Sequence, residues 1–128
     1  MFSYGNLQTT TSIAPQASIK LSNPINSSQS CQVNAIVDTG AVMTCIPESA
    51  IKKLDKSLVY SKIQVREFNG NIQERKTYFI NISIANYEHK NIEVLAIPKE
   101  YALIGRDILN QHKVILDAPN QRWSLNDG

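Results

Sequence analysis

Asp38 is a carboxylate placed where it could do chemistry, directly after the apolar run Ala35-Ile36-Val37 and directly before Thr39, Gly40 and Ala41. A strand running up to Asp38 would fix the position of its side chain. Thr39 adds a hydroxyl, and Gly40 lets another backbone approach closely. A carboxylate so held can take a proton from water or give one to a carbonyl oxygen. An Asp-Thr-Gly arises by chance in roughly three per cent of chains of this length. The tripeptide alone therefore decides nothing, and Asp38 capping the N–H groups of a turn explains it equally well.

A second segment raises the specificity. Tyr101-Ala102-Leu103-Ile104-Gly105-Arg106-Asp107-Ile108-Leu109 sets two apolar residues before a glycine that opens a short helical pattern. Elsewhere the chemistry-bearing residues are sparse. His89 and His112 lie far apart in the sequence, neither has a second ligand at metal spacing, and no zinc or calcium motif is present. No metal and no cofactor is expected. Cys31 and Cys45 do not form a disulfide framework and read as free thiols, Cys45 as a small core residue rather than a nucleophile. Lys52, Lys53 and Lys56 read as a solvated helix face, and Trp123 as filler of a core or an interface. His112 is expected near a helix C-terminus, where a cation is favoured.

The elements that would position these residues are mostly strands. Residues 1–16 are rich in Ser, Thr, Gln and Asn and read as a flexible arm, leaving residues 17–128 as a single domain. Period-two alternation marks Ile19 and Leu21, then Cys31 to Asp38. It is cleanest at Tyr78, Ile80, Ile82 and Ile84, and recurs at Ile92, Val94 and Ala96. Residues 114–116 and 122–125 flank a turn at Ala118-Pro119-Asn120. Residues 65–77 form a polar hairpin candidate with Phe68-Asn69-Gly70-Asn71 at its tip, Asn-Gly being a strong hairpin turn signal. Two short helices interrupt the strands. One begins at Pro47 with Ala50, Ile51 and Leu54 facing inward, and the other covers residues 106–112. Many short strands separated by turns predict an all-β closed barrel or sandwich.

The bulk properties exclude several function classes. The chain has 128 residues, enough for one core and short for two. Its net charge of +2 shows no basic stripe, so neither nucleic acid nor a membrane is an expected partner. No apolar run reaches membrane-spanning length, and the N-terminus lacks the charged and apolar regions of a secretory signal. A cytoplasmic location is the expectation.

Taken together and in order, the Asp-Thr-Gly-Ala segment, the Gly-tipped hairpin and the Leu-Ile-Gly-Arg-Asp-Ile-Leu element resemble the retroviral-type aspartic proteases, the retropepsins. The resemblance spans residues 17–125, and because the sequence opens at Met1 it points to a free-standing cellular or bacterial member. It implies an all-β retropepsin-like barrel with a flap and one or two short helices, paired as a homodimer. The implied activity is endopeptidase cleavage of an extended peptide or protein. Two carboxylates sharing one proton can activate water and protonate the carbonyl together, as in the aspartic-protease dyad. This chain has one Asp-Thr-Gly, so the second carboxylate would come from a second copy across a two-fold axis.

The resemblance further implies that Asp38 is catalytic and that Thr39 hydrogen-bonds across the dimer axis. Gly40 and Ala41 would contact substrate, with Phe68, Asn69, Gly70, Asn71 and Ile72 closing over it as a flap. Leu103 and Ile104 would line a side-chain pocket beneath the catalytic loop, and Gly105, Arg106 and Asp107 would be structural. Val42 stands where many retroviral members carry an acid that pairs with the arginine, so the partner of Arg106 is left open. A rival reading keeps the fold without turnover, as a peptide-binding or dimerisation module.

Overall fold

The computed structural model describes residues 2–5, 13–55, 58–66 and 69–127. Alternation of side-chain type decides most of the strands. In β2 (Ala14–Ser22), Ala17, Ile19 and Leu21 point inward while Ser18 and Lys20 alternate with them. In β6 (Ile72–Ile84), Tyr78, Ile80, Ile82 and Ile84 are all buried, the last three completely. A face of this kind must be covered, and the chain covers it by closing on itself.

Four more strands complete the closure: β3 (Ser30–Val37), β4 (Cys45–Pro47), β7 (Tyr87–Ile97) and β8 (Ala102–Ile104). The order β6-β7-β4-β8-β3-β2, with β2 pairing back onto β6, makes a six-stranded barrel. The all-β closed architecture expected from the turn spacing is therefore present. Most ladders are antiparallel, but β3 runs parallel to β8 and β4 parallel to β7. The core is filled from all six strands and by α1 (Glu48–Leu54), which buries Ala50, Ile51 and Leu54. Pro47 ends β4 and caps α1 instead of occupying its first turn.

Two extensions leave the barrel. One is β5 (Val59–Arg66), paired with the first half of β6 in a long hairpin. The other adds β1 (Phe2–Gly5), β10 (Arg122–Asp127) and β9 (His112–Asp117) beyond β2, with β9 at the edge. Here the flexible-arm expectation for residues 1–16 gives way at residues 2–5 and 14–16, while residues 1 and 6–12 lie outside the described residues. Phe2 pairs with Trp123 and stacks on its ring at 4.4 Å, Tyr4 pairs with Pro15, and Ala14 to Gln16 belong to β2. A polar composition hid a strand one of whose two partners, β10, lies over a hundred residues away. Trp123 is 1% exposed and donates its indole N–H to the Gln16 carbonyl at 2.9 Å, so it is a core residue.

The second helix, α2 (Arg106–Leu109), is one turn long, shorter than its apolar pattern predicts. His112 consequently opens β9 rather than closing a helix, and its imidazole faces His89 of β7. No described helix is long and apolar enough to cross a membrane.

Candidate active site

Asp38 follows β3 at the point where the parallel β3–β8 pair ends. Its backbone N–H donates to the Ile104 carbonyl at 2.9 Å, one step beyond the Val37–Ile104 register. The chain then turns back within three residues. Ala41 N–H returns to the Asp38 carbonyl at 3.1 Å, and Gly40 N–H donates to Asp38 Oδ1 at 3.0 Å. The carboxylate is half-buried, and Thr39 and Gly40 are exposed at the tip of the turn. Both the turn-cap bond and the strand-end placement anticipated from sequence are thus present on one residue.

What keeps this loop in place is the Leu-Ile-Gly-Arg-Asp segment. Arg106 N–H donates to the Ala41 carbonyl at 2.8 Å, tying the start of α2 to the end of the loop. Gly105 lies against the chain just after the loop. A Cβ there would meet the backbone of Met43 at 2.7 Å and of Thr44 at 2.9 Å, so only glycine fits. Asp107 reaches the same segment with both oxygens. Oδ2 accepts Thr44 N–H at 3.0 Å, and Oδ1 accepts the Thr44 hydroxyl at 2.7 Å and Ile108 N–H at 2.9 Å. The Thr44 hydroxyl in turn accepts Gly105 N–H at 3.0 Å. Asp107 is therefore fully engaged in holding two segments together and is not a second reactive carboxylate.

Thr44 is the residue that sequence reasoning missed. It is completely buried, and its hydroxyl both donates, to Asp107, and accepts, from Gly105 N–H. A hydroxyl inside the apolar run Val42-Met43-Thr44-Cys45-Ile46 signals a needed partner, and Asp107 after Gly105 is that partner.

The other anticipated residues divide by position. Leu103 is half-buried opposite Cys45, but Ile104 is wholly buried in the core cluster. Of the two, Ile104 holds the start of the Asp38 loop through its carbonyl, and only Leu103 keeps exposed surface. Ala41 is half-buried beside exposed Val42. Arg106 contributes its backbone N–H while its side chain is exposed. In the β5–β6 hairpin, Asn69 and Gly70 form the turn, Asn71 N–H donates to Asn69 Oδ1 at 3.0 Å, and Gly70 takes φ 87°. Ile72, the first residue of β6, is exposed. Phe68 lies outside the described residues.

Cys45 feels the charges of both acids. Burial, then the charges of Asp38 and Asp107, push its thiol up to about 11, which suits a packing residue and not a nucleophile. Both cysteines are free, as expected. Among the described residues no group of three or more His, Cys, Asp or Glu side chains could hold a metal ion. A separate cleft of about 470 Å³ between α1 and β6, lined by Glu48, Lys52, Glu74, Lys76 and Tyr78, includes no residue of the Asp38 loop.

Comparison with known proteins bears on this arrangement. Residues 25–111 match the protein family described as "gag-polyprotein putative aspartyl protease", a stretch that includes Asp38, the β5–β6 hairpin and α2. No curated protein sequence matches the chain. Among solved structures, the simian foamy virus (mac) protease superposes with a TM-score of 0.55 at 18% identity, covering 74% of this chain and 91% of that one. The foamy viral protease–reverse transcriptase, solved with an RNA/DNA hybrid, gives a TM-score of 0.54 at 18% identity over 76% of this chain. That match takes in only 12% of the longer viral chain. These likenesses show a retropepsin-like fold.

Proposed function

Because this chain belongs to the gag-polyprotein aspartyl protease family, we propose that it is an aspartic endopeptidase whose active site is assembled from two copies, each contributing Asp38. The observation that carries the reading is the built support of the Asp38 loop. It is tied at its start to Ile104 and at its end to Arg106, with Asp107 occupied behind it. A loop held this firmly presents its carboxylate in one position, as a general base or acid requires.

Hydrolysis then needs a second carboxylate to share a proton with the first. The chain has no second Asp-Thr-Gly, and Asp107 is committed to Thr44. A two-fold related Asp38 supplies it, one dyad member taking the proton of the attacking water while the other protonates the peptide carbonyl. Thr39, exposed at the loop tip, bridges to the partner copy, and the Gly40 and Ala41 backbone orients an extended peptide. Asn69 to Ile72 at the hairpin tip close over the peptide and exclude water. Association also has surface to cover, since edge strand β9 exposes Ile115 at 44% and Leu116 at 45%.

Peptide-library cleavage by the wild-type protein and by Asp38→Asn tests the assignment. The substitution keeps shape and removes the ionisable group. Wild type is expected to cut and to be blocked by a statine-type inhibitor, while Asp38→Asn folds normally and retains less than a few per cent of the rate. Cleavage undiminished in pure Asp38→Asn protein would remove Asp38 from the mechanism.

A further inference from the structure

We propose that His89 and His112 form a proton-operated latch, which docks the edge strand β9 onto β7 at neutral pH and releases it when both imidazoles are charged. The two residues are 23 apart in sequence, and their strands are not neighbours in the sheet. Their Nε2 atoms nevertheless face each other at 2.8 Å, with the rings crossing at 78° and 5.0 Å between centroids. His89 is 5% exposed, and the Nδ1 atoms of both rings are buried with no hydrogen-bond partner.

The chemistry of the contact follows from proton count. A short Nε2 to Nε2 bond needs one N–H and one lone pair. The neutral pair meets that condition, and so does the pair with one extra proton. With two extra protons both Nε2 atoms carry hydrogen, the bond is lost, and two positive rings are left in contact.

The surroundings of the pair set the direction. Burial holds the His89 imidazole below its ordinary range, and the charge of His112 pushes the same way. The Asp107 carboxylate in α2 pulls weakly upward, but it is already engaged by Thr44. The Ile82 backbone, opposite His89 in β6, also favours the proton without reaching hydrogen-bond geometry. On β7 the Tyr87 ring lies edge-on to His112 at 4.7 Å. A folded-state pKa below the unfolded value means that the unfolded chain binds more protons. The contact thus contributes fully above about pH 6.5 and is lost as pH falls from there toward the folded-state value. Among the described residues no third metal-binding side chain joins the pair.

The test reads the state of β9 and not turnover, so Asp38→Asn protein serves equally well for it. Amide hydrogen exchange of β9, corrected for intrinsic rate and referred to the amides of Ile80 and Ile82, is measured between pH 7.5 and 5. Both imidazoles are titrated by NMR in the same samples. The expected result is at least a tenfold loss of relative protection in β9 and two separated imidazole steps. His112→Phe keeps a ring against Tyr87 but cannot be charged, and its β9 protection should stay flat across the range. Unchanged protection in the parent protein, independent titration of both rings at ordinary values, or an equal loss in His112→Phe would each overturn the latch. Should His112→Phe fail to fold, the exchange and titration of the parent protein decide alone.

Discussion

Thr44 holds two chain segments together through one hydroxyl and one N–H, and removing the hydroxyl strands Gly105 N–H and takes one of three donors from Asp107. Thr44→Val conserves shape but deprives Gly105 N–H of its acceptor and Asp107 of a donor. A loss of about 2–4 kcal/mol is expected, read as a lower urea midpoint at unchanged slope. An effect within about 0.5 kcal/mol would show the network to be incidental. Cys45 gives a second test at this scale. A thiol raised to about 11 is almost wholly protonated at neutral pH, so folded protein should alkylate at half-buried Cys31 well before Cys45. Rapid Cys45 labelling without unfolding would contradict the environment described for it. For the dyad itself, a shared proton predicts a bell-shaped rate profile, with activity lost when both carboxylates are protonated or both ionised. A rate flat from mildly acid to alkaline pH would reject proton sharing.

At the scale of elements, two glycines separate packing from backbone freedom. Gly105→Ala drives a Cβ into the Met43 backbone, which cannot rotate away as a side chain could. A cost of about 3 kcal/mol is expected, with the Asp38 loop displaced and activity falling with it. Gly70→Ala meets open space but must hold φ 87°, so it should cost about 1 kcal/mol, confined to the hairpin tip. Equal thermal shifts in the two variants would count against this distinction. The same contrast explains what could be read from sequence. Tyr78 to Ile84 announced themselves because one face of that strand is continuously buried, and Asn69-Gly70 because its turn requires positive φ. The strand β1 did not, since four residues in a polar stretch owe their conformation to Trp123 and Pro15. Nor did the shortness of α2, where His112 is taken into a ladder with Asp127.

For the molecule as a whole, the Asp38 loop and the Gly105 element were legible as sequence because each is local. Their meeting, through Ile104, Ala41 and Thr44, is tertiary and needed the barrel. The His89–His112 contact was invisible for the same reason, since nothing in the spacing of two histidines predicts opposed rings. The central claim is that one chain carries half a site. Active fraction should then follow dimer fraction by mass action. Excess Asp38→Asn chains should poison wild-type activity, because mixed dimers hold a single ionisable carboxylate. The most direct measurement is peptide cleavage across a dilution series, with sedimentation of the same samples. Below the dissociation constant, rate should fall with the square of protein concentration while the mass falls to that of one chain. Full specific activity in protein shown to be monomeric would contradict the shared site.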